Sequence, residues 1–296
     1  CLLARRAVVV APDADAPALL ATLARERVTI VSLVPTLLAR LLDLPDAPAP
    51  QACLRAVLLG GGPASPDLLA RAADRGWPVV TTYGLTEACS QVATQPPGTV
   101  NRGALGAGRP LPGMEVRIAG DGGIEVRGPA LMRGYFPPGA HPDPFTPDGW
   151  LRTGDAGRLD DAGNLHVAGR RADRIITGGE NVDPTEVEQA LERRGGIRGA
   201  CVFGVPDEEW GQRVVAVVVA RGQDRDRPAL GDLRNWVSQT LPRAWAPKRL
   251  VVVPEIGLLP NGKVDRRALE QLAIQVRPGE DRPGVVVAVE EVPPGA

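Results

Sequence analysis

Residues 56–87 read AVLLGGGPASPDLLARAADRGWPVVTTYGLTE. An apolar run from Ala56 to Leu59 ends in Gly60, Gly61 and Gly62. Ser65 is placed to cap a helix whose first position is Pro66, and the helical pattern lasts to Arg75 before a second apolar run, Val79 to Thr82. The same alternation extends upstream through Ala7 to Val10, Ala18 to Arg27, Thr29 to Leu33 and Pro35 to Leu44. Strands alternating with helices predict an α/β fold with a largely parallel sheet covered on both faces. In such sheets ligands gather beyond the carboxyl ends of the strands, and both glycine-rich turns of this half follow strand-like runs.

From about residue 103 to 168 the texture changes. Short runs, Glu115 to Ile118, Ile124 to Arg127 and Leu165 to Ala168, are broken by Gly, Pro and Asp and predict a β-rich subdomain. Beyond Gly169 and Arg170 the mixed pattern resumes. Helices are expected over Pro184 to Arg193, Ala229 to Thr240 and Asp265 to Leu272, and strands over Gly199 to Val205, Arg213 to Arg221 and Arg249 to Val253. Asp183, Pro184 and Glu186 supply an N-cap, a first-turn proline and a capping glutamate. The expected organisation is residues 1–168 as part of a large domain, 169–277 as a small α+β domain, and 278–296, rich in Pro, Gly and Glu, as a loosely held tail.

Composition narrows the function classes. The formal net charge is -1 and the arginines are interleaved with aspartates and glutamates, so no basic stripe for nucleic acid is present. The longest aliphatic stretch, Val214 to Ala220, is too short to span a bilayer. Cys1, Cys53, Cys89 and Cys201 lie far apart without zinc-ligand or disulfide-framework spacing. A cytosolic protein is expected, and Val8-Val9-Val10 so close to Cys1 suggests an interior strand with further chain upstream. Of the 34 Lys and Arg, only Lys248 and Lys263 are Lys.

Five segments carry chemistry. Leu58 to Ala64 places glycines after a strand, where backbone approaches a flat or anionic ligand closely; taken alone, a plain strand-to-helix turn is the commoner reading. Thr81 to Glu87 lines up Tyr83, Gly84, Thr86 and Glu87 in one short turn, suited to a base, a phosphate and Mg²⁺, with helix capping as the rival reading. Trp150 to Asp155 ends in an aspartate that could accept two ribose hydroxyls or simply form a turn. The charged segment from Gly169 to Val182 contains Gly178-Gly179 and reads either as a hinge with a flexible loop or as a hairpin. Lys263, in Leu259-Pro260-Asn261-Gly262-Lys263, is a point charge in a chain that otherwise prefers the planar guanidinium. A surface-turn lysine is the alternative.

Taken together and in this order, these motifs resemble the adenylate-forming superfamily of acyl-CoA synthetases, peptide-synthetase adenylation domains and luciferases. The resemblance covers about Val28 to Arg267. It implies a two-step ligase: a carboxylate and MgATP give acyl-AMP, and the thiol of CoA then displaces AMP. It implies Lys263 as the catalytic cation of the first step, Thr86 on the phosphates and Glu87 on Mg²⁺. Gly61, Gly62, Pro63 and Ala64, with Tyr83 and Gly84, would frame the adenine, and Asp155 with Arg170 the ribose. Gly178 and Gly179 would line the pantetheine path after the small domain rotates.

Two departures accompany the resemblance. The usual polar hinge position is Ala172 here, and the superfamily's phosphate loop is expected upstream of residue 1. Within the superfamily, Leu58 to Ala64, Tyr83 to Gln91 and Gly178 to Val182 resemble the branch that joins o-succinylbenzoate to CoA for menaquinone synthesis. Ser90-Gln91 would put polar groups near the acyl pocket, unless the pair faces solvent on a helix. The alternatives are a ligase of medium-chain or aryl acids and a truncated, non-catalytic adenylate-binding protein. The sequence leaves a homo-oligomer open.

Overall fold

A computed structural model describes residues 6–11, 15–45, 48–100, 105–139, 142–221, 228–259, 262–277, 279 and 288–292. The chain divides into two compact units, Cys1–Thr153 with Arg158–Val167, and Gly154–Gly157 with Ala168–Ala296.

In the first unit α1 (Ala16–Arg25), β1 (Ile30–Leu33), α2 (Pro35–Asp43), β2 (Ala56–Leu59), α3 (Pro66–Asp74) and β3 (Val79–Leu85) alternate. The three strands pair in parallel, with Leu33 beside Leu59 and Leu59 beside Thr81. Local chemistry sets the helix starts. Asp15 accepts from the Ala18 amide and Ser65 from the Leu68 amide, and prolines open both helices and α2. Both crossovers step the same way across the sheet, and right-handed connections then put α2 and α3 on one face. There Leu38, Leu41, Leu42, Leu68 and Leu69 close over Val57, Leu59 and Val79. Helices were expected on both faces; among the described residues they cover one, because no crossover reverses direction.

β3 then turns back into β4 (Ser90–Thr94) and β5 (Arg109–Pro110), both antiparallel to their neighbours. Residues 6–10 do not form the strand that Val8-Val9-Val10 suggests. All three valines are exposed, and a β-branched run becomes a strand only where a neighbour takes up its ladder hydrogen bonds. A second sheet runs β6 (Glu115–Ile118), β7 (Gly123–Arg127), β8 (Leu151–Leu159) and β9 (Leu165–Arg170) in that order. Ahead of β8, Trp150 lies against two cations, with the guanidinium carbons of Arg117 and Arg127 at 4.4 and 4.5 Å from its ring centre.

The second unit holds β10 (Ile175–Thr177), β11 (Glu180–Val182), α4 (Pro184–Arg193), β12 (Ile197–Asp207), β13 (Gly211–Ala220), α5 (Leu230–Val237), β14 (Arg249–Val252), α6 (Arg266–Gln275) and β15 (Ala288–Glu291). β13 is its spine, paired antiparallel with β12 and parallel with β14. Val214, Ala216 and Val218 meet α4 and α5, whereas Val215, Val217 and Val219 meet α6. A strand buried on both faces reads as an unbroken apolar run. Each such valine contributes roughly 1.5–3 kcal/mol by leaving water.

The expectation of a loose tail is corrected at 288–291. β15 pairs antiparallel with β14, Val289 is buried, and the Glu290 carboxylate accepts the Leu230 amide at the start of α5. Glu291 ion-pairs with Arg213. Val289 in the core and the two acids that follow it, each with a fixed partner, hold this segment as an edge strand. The rest of the tail, apart from 279 and 292, lies outside the described residues, as do Pro260 and Asn261 of the Lys263 motif. No described helix is long and apolar enough to cross a membrane.

Candidate active site

The carboxyl ends of β2 and β3 gather the first group of candidate residues. Gly60 passes so close to β3 that an added Cβ would stand 2.4 Å from Thr82 Oγ1, and Gly61 has a φ of 81°. Only glycine allows this turn. Thr82 donates its hydroxyl to the Leu59 carbonyl at 3.3 Å, tying the turn to the neighbouring strand. Beyond it, Ala64 packs on the helix-covered core.

Tyr83 and Gly84 lie within β3, not in a turn as expected, because the strand continues through a bulge to pair with β4. Tyr83 is 8% exposed and belongs to an apolar cluster with Val92, Ala93 and Ala107. Gly84 is required by packing, since a Cβ there would overlap the Ser90 carbonyl at 2.0 Å. The actual turn is a single 3₁₀ turn, Thr86–Ala88, followed by Cys89 at φ 57° and Ser90 at φ 129°. Two successive non-glycine residues at positive φ mark stored backbone strain beside Thr86 and Glu87. Ser90 and Gln91 sit on β4, Ser90 exposed and Gln91 half-buried, so the helix reading of that pair is replaced by a strand.

A strap from a later segment holds this turn. The Met132 amide donates to the Glu87 carbonyl at 2.7 Å, and Tyr135 donates its hydroxyl to Glu87 Oε1 at 2.8 Å. Sequence reading missed Tyr135. A signal was available: Tyr135 is one of two tyrosines and Phe136, 91% exposed, one of three phenylalanines. Among the described residues no group of three or more His, Cys, Asp or Glu could hold a metal by itself. The half-buried Glu87 carboxylate nonetheless fits Mg²⁺, a hard cation that phosphates and water largely ligate.

In the second unit Asp155, 9% exposed on β8, lies 3.5 Å from Arg170 Nε, so the proposed ribose pair is brought together. Arg171–Asp173, containing Ala172, forms a short 3₁₀ turn after it. Gly178-Gly179 then makes the two-residue link of a hairpin, with Thr177 opposite Glu180 and φ values of 56° and 84°. Consecutive positive φ values match the twist of the flanking strands. The flexible-loop reading thus gives way to the hairpin. Its surroundings close on it: the Gly178 amide donates to the Trp210 carbonyl at 2.9 Å, and the Ile176 amide to Gln212 Oε1 at 2.7 Å.

Lys263 is exposed, at the end of a tight loop that Leu258 and Val264 bridge. The Leu259 amide donates to the Lys263 carbonyl and the Gly262 amide to the Leu259 carbonyl, both at 2.8 Å, with Gly262 at φ 78°. Below the loop, Asp265 caps α6 through the Ala268 amide. Arg266 reaches back to Glu188 Oε1 at 2.7 Å and to the Val202 carbonyl, while the Val202 amide donates to the same Glu188 oxygen. Burial pushes the Glu188 carboxyl above its ordinary range, against the opposing pull of Arg266.

A mixed α/β unit followed by a smaller C-terminal unit is the domain plan of the adenylate-forming enzymes that this chain resembles in structure. Residues 1–136 match the AMP-binding enzyme family and residues 186–263 the AMP-binding enzyme C-terminal domain, and the chain belongs to this family. It is 36% identical to a 2-succinylbenzoate–CoA ligase of Enterococcus faecalis over 248 residues, 80% of this chain and 50% of that protein. The o-succinylbenzoate CoA synthetase of Bacillus subtilis, solved with its acyl-adenylate intermediate, superposes with a TM-score of 0.75 at 34% identity, over 90% of this chain and 55% of that one. The amide bond synthetase McbA from Marinactinospora thermotolerans superposes with a TM-score of 0.78 at 34% identity, over 87% and 55%. The chain spans about half the length of the curated relatives it matches.

Proposed function

We propose that this protein activates o-succinylbenzoate with ATP and transfers it to CoA, a step of menaquinone synthesis. The observation that carries the reading is 36% identity to 2-succinylbenzoate–CoA ligases across most of the chain. A carboxylate is a poor electrophile. Its oxygen attacks the α-phosphorus of ATP, pyrophosphate leaves, and the resulting anhydride makes AMP a good leaving group. In the second step the CoA thiolate attacks the acyl carbon, the thioester forms and AMP departs.

Each candidate residue has a part in this scheme. Lys263 stabilises the charge that gathers between carboxylate and α-phosphate, because a fixed cation acts most strongly where charge develops. Thr86 donates to the phosphates, and Glu87, steadied by Tyr135, holds Mg²⁺. When bound, Mg²⁺ neutralises the phosphate oxygens. The Gly61–Ala64 turn, Gly84 and the edge of Tyr83 frame the adenine, and Asp155 with Arg170 takes the ribose hydroxyls. Gly178 and Gly179 border the thiol's path. Dependence on ATP and CoA suits the cytoplasm.

The test is AMP release across a panel of acids. We expect o-succinylbenzoate to be favoured over octanoate by at least about 100-fold, well inside the roughly 10⁴–10⁵-fold that unpaired polar groups in a pocket impose; equal turnover would sink the assignment. The likeness to an amide bond synthetase favours a second reading, in which an amine replaces CoA as acceptor. Trapping acyl-AMP and then offering either CoA or amines separates the two.

A further inference from the structure

The first of the chain's two lysines, Lys248, is buried beneath the glycine hairpin. Lys248 is 7% exposed, and its backbone is pinned on both sides, the amide donating to the Val214 carbonyl and the carbonyl accepting from the Val292 amide. Its ammonium lies 4.5 Å from the centre of the Trp210 ring. It also reaches Thr177 Oγ1 at 3.4 Å and the Ala244 carbonyl at 3.3 Å. Thr177 is 1% exposed and immediately precedes the hairpin turn. Trp210 lies directly under that turn: its carbonyl accepts the Gly178 amide, and a Cβ on Gly178 would stand 3.1 Å from its ring. Asp207 fixes Trp210 from the other side by accepting its amide at 2.9 Å.

A buried cation here is costly. Burial, and then the Arg234 guanidinium, weigh against the charged form of Lys248, with Asp207 pulling the other way. Packing alone would be served as well by an apolar side chain of similar length, which avoids that cost. The planar, five-donor guanidinium is a poor replacement for a compact ammonium in so narrow a slot, which accounts for a lysine in an arginine-rich chain.

We propose that Lys248 is a positioning residue that holds Trp210 and Thr177 so that the Gly178–Gly179 turn keeps the shape needed for thioester formation. This rests on the reading of that turn as a border of the thiol's path. The test compares Lys248→Met and Lys248→Arg with the unaltered protein by amide hydrogen exchange and by the two half-reactions measured separately. In Lys248→Met, exchange at the Gly178 amide should rise by about tenfold or more, the scale of a desolvated cation–π contact, while the Val217 amide keeps its protection. Thioester formation from supplied acyl-AMP should fall at least about tenfold further than acyl-AMP formation, and Lys248→Arg should not restore it.

Should Lys248→Met lose its core protection, Trp210→Phe provides the same comparison with the fold kept, and an intermediate rise at Gly178 is expected. An unchanged Gly178 amide in a variant with an intact core overturns the anchoring. A freed Gly178 amide with both half-reactions slowed equally overturns instead the assignment of the turn to the thioester step.

Discussion

The Gly178–Gly179 turn and the Lys263 loop are both exposed, glycine-containing segments of the second unit, yet the first rests on buried side chains, Thr177 and Lys248, and the second is tied only at its base. The first has a tryptophan carbonyl, a glutamine side chain and a buried ammonium around it. The second ends in an exposed lysine and is tied down at its base, through the Glu188–Arg266 pair and the cap of α6. The difference fits the two tasks proposed for them. A surface that borders a narrow path must keep its shape, whereas a charge delivered to a developing transition state should stay hydrated until it arrives.

The largest effect should come from removing the base of the Lys263 loop. Glu188→Ala leaves the Arg266 guanidinium and the Val202 amide without their acceptor and should cost about 3–5 kcal/mol in denaturant unfolding of the second unit. Replacing both members by apolar residues of similar volume should cost far less. If the single variant unfolds like the unaltered protein, the loop does not depend on this base. Next, Lys263→Ala should lower acyl-AMP formation by roughly 10²–10³-fold while thioester formation from supplied acyl-AMP persists. Equal losses in both half-reactions would erase the proposed division between the two loops.

Smaller changes sharpen the contrast at the hairpin. Gly178→Ala sets a side chain at φ 56° and 3.1 Å from the Trp210 ring, so a loss of about 1–3 kcal/mol is expected by thermal unfolding. A neutral outcome would mean that the turn is looser than its contacts imply. Smallest of all, Thr177→Val deprives Lys248 of one acceptor while keeping shape, and should cost on the order of 0.5–1.5 kcal/mol.

Much of this was legible in the residues. Caps at Ser65 and Asp183 and the prolines that follow them are local chemistry, and they place helix starts without reference to the rest of the chain. The apolar run from Val214 to Val219 could belong only to an interior strand. The misreadings were all matters of neighbours. Val8 to Val10 read as a strand but lacks strand pairing, residues 288–291 read as a tail but found β14, and Tyr83-Gly84 read as a turn but continued a strand because β4 returns beside it. In the site, the motif residues were visible by type and order. Tyr135, Trp210 and Lys248 acquire meaning only through the atoms they touch, 48 positions away from Glu87 in the case of Tyr135 and 71 from Thr177 in that of Lys248.

By itself the sequence determined the alternation of elements, the glycine turns at strand ends, the two isolated lysines and the resemblance to a family of adenylate-forming enzymes. Those features depend on periodicity, backbone conformation and residue type, which act over a few positions. Tertiary structure alone decided that one lysine is exposed at the end of a tied loop and the other is buried against a tryptophan. Burial, and with it the cost and use of a charge, is a property of the surrounding atoms rather than of the residue that carries it.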